Sequence, residues 1–349
     1  MNKQVSKMFE RKKILITGGT GSIGQEILRD ILKHAPDVVR ILDVDETKQF
    51  ELQQEYGDYK NIRFLLGDIR DKERLHRAIE DIDIIFHTAA LKHVLACEYN
   101  PFEAVKTNAI GIQNLIDVAM DEEVEKVIFT SSDKAVNPTN VMGATKLLAE
   151  RLITSANYYK GARETVFSSV RFGNVLGSRG SVIPLFKKQI GDGGPVTITN
   201  EDMTRFIMPM QEAINLLFKA IELAQGGEIF VFKMKTIKII DLAELMIMEL
   251  APNYGYSPNE IKTEIIGTKP GEKLYEELMT EDEARRALES EDMFIVLPEM
   301  KELSHIDKSS YLSTSQAQIK AYTSNTVKHL TKEEIKNILY QENLIEEVK

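Results

Sequence analysis

The feature that most constrains this chain is TGGTGSIG at 17–24. It stands between a short apolar run, KILIT (13–17), and SIGQEILRDILKHA, whose apolar residues recur at helical spacing. Gly19, Gly21 and Gly24 fit G-x-G-x-x-G, and Gly18, Gly21 and Gly24 also fit G-x-x-G-x-x-G. Either reading puts glycine where a strand turns into a helix. A tight turn there demands positive φ, a phosphate needs backbone it can approach closely, and a helix start offers free N–H groups to negative charge. The turn therefore predicts a dinucleotide site contacted by Gly18, Thr20, Gly21, Ser22, Ile23 and Gly24. Asp43 strengthens the expectation by closing the next apolar run, VVRILD (38–43), where a carboxylate accepts both ribose hydroxyls. Because that carboxylate would repel a 2′-phosphate and the following VDE brings no nearby arginine, NAD is expected rather than NADP.

The alternation of β-rich runs and helix-length segments continues through IRFLLGD (62–68), DIIFHT (83–88) and KVIFTSS (126–132). This predicts an α/β fold, a Rossmann-type doubly wound parallel sheet with right-handed crossovers and ligands outside the carboxyl ends of the strands. Asp68 and Ile69, at the end of the third run, are the expected adenine-edge contacts. Beyond residue 175 the pattern loosens into the glycine-rich GSRGSVIP and GDGGPVTITNED, then a helix at 210–225 and a strand in EIFVFK (228–233). The organisation expected is an NAD-binding domain over 1–175 that also receives about 206–235. A smaller C-terminal α/β substrate lobe would comprise 176–205 and 236–349. Within that lobe Asp241 and Glu244 have the form of a capping box opening a helix to about 250. The charge-rich stretches 281–290 and 331–346 have helical spacing and read as solvated faces.

Composition narrows the partners. The 349 residues are 43% hydrophobic, enough for a sizeable core, and no apolar run reaches the ~18 residues of a membrane span. A net charge of −10 provides no long-range field to collect nucleic acid or an anionic membrane, so an anionic ligand must be held by local cations. The single cysteine, Cys97, forms no intrachain disulfide and reads as a small buried residue. The opening MNKQVSKMFERKK lacks the apolar segment of a leader, so a reduced, cytoplasmic location is expected. His87 and His93 do not match a metal-ligand spacing, and no metal is expected.

The chemistry is concentrated in FTSSDKAVNPTNVMGATKLLAE (129–150). Ser132, Asp133 and Lys134 fall at the carboxyl end of a strand, and Met142 and Lys146 then share one face at the start of a helix. Here the chain resembles the extended short-chain dehydrogenase/reductase superfamily, which has Ser or Thr at the strand end and Tyr-x-x-x-Lys on the helix. In this sequence Met142 takes the tyrosine position. Further matches lie in HTAALKHV (87–94), EYNPFEAVKTN (98–108), VRFGNVLGSRGSVIPLF (170–186), MTRFI (203–207) and GTKPGEKLYEEL (267–278). Together with SSDKAVNPTNVMGATK (131–146) they resemble the UDP-N-acetylglucosamine 4,6-dehydratases of capsule, glycan and flagellin sugar synthesis, over roughly residues 12–300.

The resemblance implies NAD-dependent oxidation of the sugar at C4, loss of water across C5 and C6, and return of the hydride to C6, with a UDP-sugar as substrate. Asp133 would be the acid for the leaving hydroxyl and Lys134 the base at C5. To act as a base Lys134 must have a lowered pKa, expected from desolvation and the Lys146 charge. Lys146 would bind the nicotinamide ribose. Methionine takes no proton from a hydroxyl, so Ser132 with Asp133, or a water, must deprotonate the 4-hydroxyl. Ala89 and Asn108 are expected at the cofactor, Lys92 at cofactor or sugar, and Asn174 at the diphosphate or sugar. Arg205, together with Lys187 or Lys269, is expected at the nucleotide phosphates. A homo-oligomer through helices 102–120 and 142–157 is also implied. Two other functions compete. A nucleotide-sugar 4-epimerase needs no Asp-Lys pair. A non-catalytic NAD-binding regulator would explain the missing tyrosine but not the retention of Asp133, Lys134 and Lys146.

Overall fold

The computed structural model describes residues 7–303 and 306–345, so the first six residues of the opening MNKQVSKMFERKK and the end of the charged stretch 331–346 lie outside the described residues. Six apolar runs become parallel strands because their side chains are buried by helices on both sides of the sheet. They are β1 (Lys13–Thr17), β2 (Val38–Asp43), β3 (Ile62–Leu66), β4 (Ile84–His87), β5 (Lys126–Thr130) and β6 (Val166–Arg171). Strands β7 (Asn174–Val175), β8 (Val196–Ile198) and β9 (Thr204–Met208) follow, then β10 (Ile229–Phe232) and β11 (Lys235–Lys238). The chain ends its sheet-forming part with β12 (Thr263–Ile265), β13 (Glu277–Met279), β14 (Ala287–Glu289), β15 (Met293–Val296), β16 (Ser315–Gln316) and β17 (Tyr322–Thr323).

The main sheet has ten strands in the order β16-β14-β15-β10-β6-β5-β4-β1-β2-β3. Its order reverses between β1 and β4, which leaves a crevice at their carboxyl ends, the place where doubly wound sheets bind ligands. The crossovers are α1 (Ser22–Ile31), α2 (Glu46–Glu55), α3 (Lys72–Ile79), the segment α4 (Val94–Tyr99), α5 (Pro101–Val105) and α6 (Gly111–Asp121), then α7 (Val141–Tyr159). Ile14, Ile16, Phe86 and Phe218 fill the core on one face of the sheet, and Leu15, Ile85, Ile116 and Phe167 the other. A separate core gathers α8 (Val182–Gly191), α10 (Ile239–Leu250) and α12 (Lys332–Gln341) through Phe186, Met246 and Ile338. Between them in sequence run α9 (Met210–Leu223) and the single turn α11 (Glu281–Ala284). Among the described residues no helix is long and apolar enough to cross a membrane.

Three expectations are corrected. The stretch 236–349 is not one lobe: β15, β14 and β16 extend the main sheet, antiparallel, because Met293–Val296 are buried on both faces and complete the hydrogen bonding of β10. Residues 281–290 form only α11, capped by Thr280 and Glu283, before the chain pairs with β15 as β14. Asp241 lies inside the first turn of α10 instead of capping it, and with Glu244 it faces Lys332 of α12, so these charges join two helices. A capping box opens α12 instead, Thr331 with Glu334; Ile335, Ile338 and Leu339 of that helix are buried, and its charged Lys332, Glu333 and Glu334 stay exposed, as expected of a solvated face.

One buried ion cluster ties the lobes to the sheet. Arg171, at the end of β6, donates to Glu150 of α7 at 3.0 and 2.6 Å and to Glu283 of α11 at 2.9 and 3.1 Å. Removing one partner of such a cluster costs about 3–5 kcal/mol, so α7 is held in a fixed orientation.

Candidate active site

The glycine turn is shaped by close backbone contact. Gly18 has φ +67°, and a Cβ on it would lie 2.6 Å from the amide nitrogen of Ala89. A Cβ on Gly24 would lie 2.6 Å from the Cα of Gly19, so Gly24 serves helix packing and does not line the crevice. Whereas α2 and α3 are capped by the side chains of Asp45 and Asp71, α1 starts at Gly21 with no side-chain cap and no acid in its first turn. Its amino end is open to an anion. Asp43 accepts from the Thr20 amide at 3.0 Å and hydroxyl at 2.7 Å, which aims the carboxylate into the crevice. These groups border a cavity of about 870 Å³ that Thr20, Gly21, Ser22, Ile23, Asp68, Ile69 and Ala89 also line. An uncapped helix start, a carboxylate at the second strand end and a cavity of this size fit a dinucleotide.

Asp68 accepts from the Arg70 amide at 2.9 Å and the Arg70 side chain at 2.7 Å, and it lines the cavity, the cap of α3 being Asp71. Two expectations change at this end. Asn108 does not line the cavity: it is buried, bonding both backbone groups of Leu91 and the hydroxyl of Thr145, and so pins the loop that carries Ala89 and Lys92. The expected lack of a nearby arginine held only along the sequence. Arg179, from the loop after β7, donates to the Thr20 carbonyl, and Arg179, Arg70 and Lys48 line the same cavity as Asp43. The Arg179 carbonyl accepts from Lys92 Nζ at 2.7 Å, which ties together two loops that both line the cavity.

At the other end, Ser132 caps a single 3₁₀ turn, Asp133–Ala135, which follows β5. Ser132 Oγ donates to Asp133 Oδ1 at 2.6 Å, and Lys134 Nζ donates to the same oxygen at 2.9 Å. The Asp133 side chain is 0% exposed and that of Lys134 27%, so Asp133 reaches the cavity only through the two groups that donate to it. The second Asp133 oxygen is buried without a hydrogen-bond partner, as are Asn174 Oδ1 and Glu276 Oε2. Lys146, in the first turns of α7, donates to the Thr130 carbonyl at 2.9 Å and lies over the Phe129 ring. Burial pushes its pKa down to about 8, against the opposing charge of Glu150. Met142 is buried beside Cys97 and Ala104 and still borders the cavity. Cys97 is the buried residue expected, its thiol pushed up by burial. His87 is a core residue bonded to Thr17 at 2.6 Å, and burial pushes its pKa down to about 3.

The expected fall in the pKa of Lys134 is contradicted. Burial alone would lower it, but two carboxylates face the ammonium, Asp133 at 2.9 Å and Glu276 at 3.7 Å, and they hold it above the ordinary lysine value. Lys146 is not the charge that matters there. Lys134 stands where the large cavity meets a second one of about 210 Å³, lined by Asn174, Arg205, Lys269, Lys273 and Glu276. Arg205 and Lys269 thus meet as expected. Lys187 does not: it lies on α8, whose Ile183, Phe186 and Ile190 pack into the separate core, and it lines neither cavity. The sequence reading overlooked Arg179, Lys48, Lys273 and Glu276. Arg179, Lys273 and Glu276 lie within GSRGSV and GTKPGEKLYEEL and Lys48 in neither, and nothing local distinguishes those charges from solvated ones.

A family model described as polysaccharide biosynthesis protein matches residues 14–298. The chain belongs to that family. Over 296 residues it is 42% identical to a UDP-N-acetylglucosamine 4,6-dehydratase (inverting) of Campylobacter jejuni, covering 84% of this chain and 85% of that one. It is 58% identical over 339 residues to an uncharacterized membrane protein, MJ1061, of Methanocaldococcus jannaschii, covering 97% and 98% of the two chains. A UDP-glucose 4-epimerase of Rickettsia canadensis is 37% identical over 345 residues, 97% and 98% of the respective lengths. Among solved structures, Pen from Bacillus thuringiensis superposes with a TM-score of 0.90 at 49% identity, covering 97% of this chain and 99% of that one. The relatives thus include both a dehydratase and an epimerase of nucleotide sugars.

Proposed function

We propose that this protein is a hydro-lyase that converts UDP-N-acetylglucosamine to a UDP-linked 4-keto-6-deoxy-N-acetylhexosamine with bound NAD. The carrying observation is the Ser132–Asp133–Lys134 cluster at the junction of a dinucleotide cavity and a cation-lined one. Asp43 supports NAD as the cofactor, because it faces the ribose end even with Arg179 and Lys48 beside it. A nicotinamide held there would supply the hydride acceptor for C4 and the hydride donor for C6. Gly18, Thr20, Gly21, Ser22, Ile23, Asp68, Ile69, Ala89 and Lys146 would hold the dinucleotide. Asn174, Arg205 and Lys269, with Lys273 and Lys92, would hold the sugar diphosphate, the cations offsetting its charge.

Ser132 Oγ receives the proton of the 4-hydroxyl while passing its own to Asp133, the acceptor 2.6 Å away, which supplies the base that Met142 cannot be. Asp133 then returns that proton through Ser132 to the C6 hydroxyl, which departs as water. Lys134, which like Ser132 lines the cavity, removes the C5 proton and later gives one back. An epimerase has no step at C5, so a lysine held between two carboxylates supports dehydration over epimerisation. A homo-oligomer accompanies this reading, since Phe102, Ile110, Leu148 and Tyr159 stay exposed on or beside α5, α6 and α7.

Mass spectrometry and proton NMR of UDP-N-acetylglucosamine incubated with the protein and NAD test the reading. Loss of one water, a new C6 methyl doublet and no net NADH are expected. Unchanged mass with inversion at C4 would make it an epimerase, and a cofactor that is never reduced would make it a binding protein.

A further inference from the structure

Lys134 is an ammonium at rest, yet a base at C5 must be an amine, so its proton needs a place within the site. Among the described residues Glu276 is the one buried carboxyl besides Asp133 that faces it, with Oε1 3.7 Å from Lys134 Nζ. The Glu276 backbone is fixed: its N–H donates to Ser324 Oγ at 2.9 Å, and its carbonyl accepts from the Ser324 amide at 2.8 Å. Ser324 is itself fully buried, 2.8 Å from the Thr204 hydroxyl. Glu276 is 3% exposed and its Oε2 has no hydrogen-bond partner, so this carboxyl has room for a proton and lacks the donors that would stabilise a second charge. The other charges around it are Asp133 from the 3₁₀ turn, Arg205 from β9 with Nε at 3.8 Å, and Lys273 on its own segment; Glu272 in turn faces Arg205 at 3.6 Å.

We propose that Glu276 is the positioning residue that holds the proton of Lys134 during turnover, making Lys134 the base at C5. This deepens the dehydration reading and rests on it. The balance is as follows: Lys134 gives one proton to Glu276, leaving an amine and a carboxylic acid. The amine takes the C5 proton, the C5–H electron pair forms the C5–C6 double bond, and the C6 hydroxyl leaves as water with the proton from Asp133. Once C6 has received the hydride, Lys134 returns its proton to C5 and recovers the other from Glu276. Burial pushes the Glu276 carboxyl above its usual range; the Lys134 charge opposes this and the Asp133 charge adds to it, in keeping with a group that accepts a proton.

Rates against pH for wild type, Glu276→Gln and Glu276→Asp test the proposal. Wild type should change little across neutrality. Glu276→Gln should be about 100-fold slower near pH 7, with the logarithm of kcat climbing at near unit slope as pH rises and the free amine becomes populated. Glu276→Asp should keep the wild-type shape at a lower rate. A Glu276→Gln profile parallel to wild type overturns the inference while leaving the dehydratase reading intact. A second measurement needs no turnover: acylation of Lys134 by acetic anhydride, followed against pH by peptide mass spectrometry. In Glu276→Gln, or in Glu276→Ala if Gln does not fold, Lys134 should label at lower pH than in wild type. Labelling that is unmoved overturns the inference, even if the wild-type protein forms no dehydrated product and the functional reading has failed.

Discussion

At the end of the cavity proposed for the cofactor, a short stretch of chain between 18 and 23 and one carboxylate at the end of the next strand line the wall. At the proton-handling end, the turn 132–134, β9 and the segment before β13 each contribute one or more charged side chains to a cluster that no single segment could form. The difference lies in what each end must do. Phosphate recognition by amides depends on local dihedral angles, so a short motif suffices. Setting which groups carry protons depends on the sum of the surrounding charges, and that sum exists only after the chain has folded.

The sharpest way to break this comparison is to disable one end alone. Lys134→Ala should reduce dehydration about 1000-fold while NAD affinity measured by calorimetry stays within experimental error, because the glycine turn is untouched. Loss of NAD binding in that variant would show that the two ends are not separable. The converse substitution, Asp43→Ala, should weaken NAD about 10- to 100-fold and NADP less, as expected for losing hydrogen bonds to a charged group. Equal losses for the two cofactors would remove Asp43 from the ribose.

Lys146 lies between the ends and sharpens the boundary. Its folded pKa of about 8 is below the ordinary lysine value, so its charge disappears as pH rises through that value. NAD affinity should therefore fall severalfold between roughly pH 7 and pH 9 in wild type and be flat in Lys146→Ala. A flat wild-type titration would mean that Lys146 does not hold the cofactor as an ammonium. Lys187→Ala should change neither KM nor kcat by more than about twofold, as for surface positions away from a site. A larger effect would bring α8 back into the substrate cavity.

Much of the architecture was legible before folding. KILIT, VVRILD, IRFLL, IIFH and KVIFT are strands where their apolar runs predicted them, and Gly18 has the positive φ that its turn demanded. The failures share a cause. The stretch 281–290 has helical spacing, yet after one turn it satisfies the edge of β15, a requirement written elsewhere in the chain. Asn108 and Lys187 sit in or near matching motifs, but one is spent on the Leu91 backbone and the other on a helix that packs away from the cavities. Arg179 and Glu276 were invisible as site residues because a charge in a loop carries no sign of what it will face.

The glycine turn and the parallel sheet of alternating strands and helices were legible in the sequence alone, since these follow from local dihedral preference and hydrophobic period, and the motif match singled out the side chains of the proposed chemistry. Only the tertiary structure decided their protonation and their company: Asp133 sealed behind Ser132, Lys134 held as an ammonium between two carboxylates, and Arg179 laid across Thr20. Those depend on Coulomb interactions over a few ångströms between groups distant in the chain, and on how far burial strips water from them.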